Sequence, residues 1–159
     1  MSNNINYSTM LQEALKEDGF LFTATEKEKV TVLTFGVKVK SGPDINYKLT
    51  VNPSGDTKLY SFLCTGIDES KRDRVIELMN ELNCLYRYVT FDIDNDNDVC
   101  VSYDFGLYGT KEDVLKLATD AIGVCTQIIK EAFPKVMKIA WEETTDNNEF
   151  IGNDDMFSE

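Results

Sequence analysis

Aspartates stand at every second position from Asp92 to Asp98, the spacing with which a calcium loop begins. An EF-hand counted from Asp92 needs glycine sixth and a bidentate glutamate twelfth. Asn97 and Tyr103 stand there instead, and the flanks alternate as strands do. Asp92–Asp98 therefore reads as a polar hairpin tip. No other pair of carboxylates is marked out as a general acid with its base, because the remainder fall on solvated faces or in turns. The chain has no histidine, which removes Ser-His-Asp and Cys-His nucleophile pairs, His-ligated zinc and His-ligated haem together. Gly106-Leu107-Tyr108-Gly109 precedes a helical pattern but lacks GxGxxG, and Lys111 is not in Walker spacing. Cys64, Cys84, Cys100 and Cys125 form no CxxC pair and sit in or beside apolar segments. They read as reduced structural thiols. No catalytic residue, metal ligand or cofactor site is expected from these residues.

Charge narrows the partner class. With 16 bases against 28 acids, the 159-residue chain carries a net charge of −12. A phosphate-backbone binder needs a basic stripe, so nucleic acid is an unsuited partner. The polar start of the chain has no apolar leader, and no stretch approaches the roughly 20 apolar residues of a membrane span. These features lead us to expect a soluble cytoplasmic protein without a membrane partner. At 42% hydrophobic residues one buried core is within reach. We expect a single domain over residues 1–141 and an acidic tail over 142–159. The tail holds seven acids, no bases, and the apolar residues Phe150, Ile151, Met156 and Phe157. It reads either as a solvating terminus or as a short segment that docks on a partner or back onto the domain.

Periodicity supplies the elements that must position any site. A helix is expected from Ser8 to Asp18, with Met10, Leu11, Ala14 and Leu15 on one face, a Thr9–Gln12 capping box and a Gly19 stop. Phe20 and Phe22 open a β-rich stretch, and Glu26–Lys29 reads as a turn. Strict alternation then marks strands through Leu33–Val39, through Ile45–Val51 and through Thr57–Thr65, the last apolar on both faces. A second helix follows over Asp68–Asn83, with Val75, Ile76, Met79 and Leu82 as its apolar stripe and Asn83 as a residue that tolerates a left-handed terminus. Val89–Ile93 and Val99–Phe105 form a hairpin. Thr110 with Asp113 caps a third helix that Pro134 is expected to disturb near Phe133. Its apolar strip is broader than one sheet face requires, which leaves surface for a partner.

The order is therefore α-β-β-β-α-β-β-α, and the fold class α+β: a single antiparallel sheet with helices packed on it. That order, with the chain length and low pI, is similar to the small acidic homodimeric chaperones of type III secretion. More specifically, Glu77-Leu78-Met79-Asn80-Glu81-Leu82-Asn83 followed by Tyr88-Val89-Thr90-Phe91-Asp92-Ile93-Asp94 resembles the YbjN family of bacterial sensory-transduction regulators. Cys84-Leu85-Tyr86-Arg87 stands where that family often carries a glycine. The resemblance implies no catalytic residue. It implies a non-enzymatic protein-binding or regulatory domain with a protein or peptide partner, and a homodimer built on the second helix and following strand through Met79, Leu82, Tyr86 and Tyr88. A secretion-type effector chaperone, and a small-molecule sensor or unrecognised enzyme, are the alternatives.

Overall fold

The computed structural model describes residues 4–143. Beyond Glu143, the acidic tail expected from the sequence lies outside the described residues. Three helices lie on one face of a six-stranded antiparallel sheet, α1 (Tyr7–Glu17), β1 (Thr23–Lys27), β2 (Val30–Val37), β3 (Ile45–Val51), β4 (Asp56–Cys64), α2 (Arg72–Leu85), β5 (Val89–Ile93), β6 (Val99–Gly106) and α3 (Lys111–Ala140). The spatial order is β1-β2-β3-β4-β6-β5, so α2 carries the chain across β6 to the far edge. The α+β class and the helix-meander-helix-hairpin-helix order are those expected from the sequence, with one more edge strand. No helix among the described residues is long and apolar enough to cross a membrane.

The added strand is β1. All five of its residues are exposed, so it has no alternation to read. Backbone pairing to β2, from Thr23↔Thr34 to Lys27↔Val30, holds it in place. Glu28 and Lys29 both take positive φ (52° and 70°), as a two-residue hairpin turn requires to match strand twist.

Alternation elsewhere sorts the faces as expected. Leu33, Phe35, Tyr47, Leu49, Val51, Leu59, Phe91 and Val101 are buried under the helices. Lys48, Lys58 and Thr90 point to the uncovered face, where Tyr60 and Phe62 meet edge to face at 5.1 Å. Burying one such aliphatic side chain stabilises by about 1.5–3 kcal/mol, so this layer of apolar residues dominates the fold.

Helix starts differ in detail. Asn6, not Thr9, caps α1 by accepting from the Thr9 N–H at 3.1 Å. Gln12 instead donates to the Ser8 carbonyl. The Thr110–Asp113 box at α3 is present in both directions. Pro134 does not end α3. Proline withholds one N–H from the Lys130 carbonyl, yet the helix continues to Ala140. Fully buried Val136 and the Lys71 ammonium, which donates to the carbonyls of Ala140 (2.8 Å) and Glu142 (2.5 Å), hold the last turns. Ala118, Ala121 and Ala132 are small enough to let α3 lie close on the sheet, and the Tyr47 hydroxyl bonds Thr126 Oγ1 at 2.8 Å.

Candidate functional site

Four residues were expected at the interface, and they occupy two different environments. Met79 and Leu82 are 3% and 1% exposed. They join Val75 and Leu78 on the buried face of α2, so their side chains add nothing to the surface. The reason is angular: Leu78, rather than the half-exposed Ile76, completes the inward stripe, which centres Met79 and Leu82 on the sheet. Tyr86 and Tyr88 do lie at the surface, at the corner between α2 and β5.

That corner is built by a helix end and a strained residue. Tyr86 leaves α2 with extended backbone while its N–H still bonds the Leu82 carbonyl. Its hydroxyl donates to Glu131 Oε2 on α3 at 2.7 Å. Burial, and that bond to a carboxylate, raise the Tyr86 phenol to about 12. Glu131 in turn is held low by hydrogen bonds from Gln127 and Tyr86. Tyr88 takes φ +73°, a left-handed conformation in which a bulky residue is strained. Glycine would adopt it freely. The turn leaves the Tyr88 ring 71% exposed beside Leu85 at 61%. From Tyr88 an aromatic row runs inward to Tyr103 (centroids 6.0 Å) and Phe105 (5.4 Å). Val124 on α3 is also exposed at 41%. The apolar width expected of α3 is otherwise taken up by the core, where Ile122 and Ile129 are buried.

Asn83 proves to be more than a helix terminus. The helix runs two residues beyond it, and its side-chain amide pairs with β5 as a neighbouring strand would. Its Nδ2 donates to the Phe91 carbonyl at 2.9 Å, and its Oδ1 accepts from the Phe91 N–H at 2.7 Å. At the next outward position the Ile93 N–H donates to Asp92 Oδ1 at 2.8 Å. Arg72 lies outside the buried stripe of α2. It docks the hairpin tip, donating to the Asp94 carbonyl (2.7 Å) and to Asn97 Oδ1 (2.5 Å). Much of the β5 edge is thus capped from α2, which blunts it against pairing with another chain. Both signals were present in the sequence, an Asn before a strand and an Arg opposite an acidic turn, but neither states its partner.

The chemistry of the remaining polar groups is that of a hairpin and a core. Asp94 Oδ1 accepts the N–H groups of Asp96 and Asp98, and Asp98 Oδ1 accepts from Gly66. These carboxylates serve the turn, with a guanidinium beside them. Burial pushes the Cys125 thiol up to about 11, and raises Cys64 and Cys100 as well. A thiol kept protonated at neutral pH is a poor nucleophile. A polar depression of about 520 Å³ on the uncovered sheet face lies among Asp56, Lys58 and Asp104. Lys58 and Asp104 are 3.9 Å apart and over half exposed there, a solvated pair of the kind that contributes little.

Comparison with known proteins gives a family and a fold. A family model described as "Putative bacterial sensory transduction regulator", YbjN, matches residues 8–134. No curated protein matches the chain. Among solved structures, YbjN from E. coli is 14% identical, covering 80% of this chain and 92% of its own, with a TM-score of 0.55. ExsC, crystallised in complex with ExsE, is 10% identical over 90% of this chain and all of its own, with a TM-score of 0.54. The Yersinia pestis type III secretion chaperone SycH, solved with a fragment of YscM2, is 16% identical over 80% and 98%, at a TM-score of 0.47. At these identities the likeness to YbjN and ExsC is one of fold.

Proposed function

The chain belongs to the YbjN family, and on that premise we propose that it is a cytoplasmic, non-enzymatic regulatory domain that binds protein, first of all a second copy of itself. The observation that carries the proposal is the corner at Leu85 and Tyr88. Two large apolar side chains are held in water, one of them on strained backbone, beside the half-buried Tyr86 and Tyr103. Strain of about 1–3 kcal/mol persists where something else over-determines it. Aromatic residues with a polar tip are also enriched at protein interfaces. The binding set is therefore Leu85, Tyr86 and Tyr88. Met79 and Leu82 act beneath it as the core that fixes α2.

The test is light scattering on the size-excluded protein from low to high micromolar concentration, with a Leu85→Asp plus Tyr88→Asp variant beside the parent chain. The proposal predicts a dimer for the parent chain. It predicts a monomer of unchanged thermal stability for the variant, because neither side chain is in the core. A parent chain monomeric throughout, or a variant that remains dimeric, contradicts it. An effector chaperone is the second reading, supported by the fold shared with ExsC, which is seen in complex with ExsE. A genome neighbourhood without any secretion apparatus removes that reading.

A further inference from the structure

A groove of about 420 Å³ lies between the end of β2 with the residues after it and the middle of α3. Phe20, Val37, Val39 and Ile122 form its apolar wall, Lys38, Lys40 and Lys130 rim it, and no carboxylate lines it. Among the described residues, none of these lysines is in an ion pair. The two α3 carboxylates that flank the groove are engaged elsewhere. Asp120 pairs with Lys116, and Glu131 accepts from Gln127 at 3.0 Å and from Tyr86 at 2.7 Å. Glu131 offsets part of the Lys130 charge, so Lys38 and Lys40 carry most of the field at the rim. In a chain with 28 acids to 16 bases, this is a local reversal of sign.

Gly123 marks the groove as space left open. It stands inside α3, where glycine is disfavoured relative to alanine. A Cβ there would meet nothing within 4 Å, so no packing contact within the chain requires its absence. The polar groups beside it are already engaged. The Thr119 hydroxyl donates to the Leu115 carbonyl at 2.8 Å, and the Thr126 hydroxyl is bonded to that of buried Tyr47 at 2.8 Å. Gln127 Nε2 goes to Glu131. A peptide would bring backbone amides that these side chains leave without partners, at a cost. What they leave to a ligand is apolar surface and ammonium groups. The volume falls among those of small-ligand sites, about 300–1,000 Å³, in which apolar walls bind and a few polar groups orient. We infer that this groove binds a small amphipathic anion, an apolar chain or ring ending in one carboxylate, with its apolar body over Ile122 and Gly123 and its carboxylate against Lys38 and Lys40.

The test is an NMR titration of the isotope-labelled full chain with sodium octanoate, and with octanol as its uncharged match. The inference predicts saturable amide shifts at Val37–Lys40 and Thr119–Lys130. Binding is expected to be weaker by about tenfold or more for octanol, and for octanoate with a Lys38→Glu, Lys40→Glu variant. Both lysines are exposed, so the variant keeps its fold. Gly123→Leu places a side chain in the groove. It is expected to raise Tm, because leucine is the better helix former, while octanoate binding falls by about tenfold or more. Binding lost without stability lost separates a filled groove from a damaged fold. Absence of saturable shifts at these residues in the parent chain overturns the inference. So does octanol bound as tightly as octanoate, or octanoate binding unchanged in Gly123→Leu. Tighter binding of an acidic peptide such as Asp-Phe-Asp-Leu at the same amides also overturns it, because the groove would then be a peptide site.

Discussion

Replacing Asn83 with alanine removes both bonds between its amide and the Phe91 backbone (2.9 and 2.7 Å) and uncovers the middle of β5. Each bond contributes about 1 kcal/mol net, so the pair stabilises by about 2 kcal/mol. Alanine returns about 0.6 kcal/mol as the better helix former at an interior position of α2. The expected loss is about 1.5 kcal/mol, or roughly 3–6 °C in Tm for a chain of this size. Urea unfolding measures the global term, and hydrogen exchange at the Phe91 amide measures the local one, because that N–H loses its acceptor outright. Asn83→Asp sharpens the test. A carboxylate can still accept from the Phe91 N–H but repels the Phe91 carbonyl, whereas the protonated acid can donate to it. The substituted carboxyl is therefore held above its ordinary range in the fold. Its contribution is present at low pH and lost as pH rises through that raised value. An alanine variant within about 0.3 kcal/mol of the parent, with Phe91 exchange unchanged, would refute the reasoning that this amide closes the sheet edge.

Two further outcomes follow from burial. Met79→Asp plus Leu82→Asp places two unpaired carboxylates where exposure is 3% and 1%, at several kcal/mol each against a total stability of about 5–15 kcal/mol. Far-UV circular dichroism is expected to show an unfolded chain, and a folded monomer would return these residues to the interface. The raised Cys125 thiol, from 9 to about 11, favours the protonated form in the fold. Its contribution is complete below pH 9 and is lost as pH rises from 9 to about 11. Cys125→Ala is expected to flatten the alkaline fall in stability over that window, by a slope of up to about 1.4 kcal/mol per pH unit. Parallel curves for parent and variant would contradict the assignment.

Much of the fold was legible because its residues carry one constraint each. Ile45, Tyr47, Leu49 and Val51 alternate because one face of β3 is covered and the other wet. Thr110 and Asp113 mark the start of α3 because they bond one another's backbone. What was not legible depends on partners distant in sequence. β1 has no pattern, since neither of its faces is covered and only β2 holds it. Pro134 stays inside α3 because Val136 and Lys71, placed by the rest of the fold, outweigh one lost hydrogen bond. Which of the residues expected at an interface lie at the surface was half legible for a similar reason. Met79, Leu82, Tyr86 and Tyr88 are all apolar at or near the end of one helix. The angle at which α2 meets the sheet decides which of them is core, together with the left-handed turn at Tyr88. With Leu78 in place of Ile76, two positions earlier, the stripe that holds Met79 and Leu82 faces inward.

The central claim is that the Leu85–Tyr88 corner is where this YbjN-family domain meets a second copy. Hydrogen exchange on the full chain at two concentrations, low and high micromolar, reads that corner directly. The account predicts that protection of residues 84–89 rises with concentration while the exposed β1 edge, Thr23–Lys27, stays unchanged. Protection that is independent of concentration at the corner, or that rises at β1 instead, would contradict it.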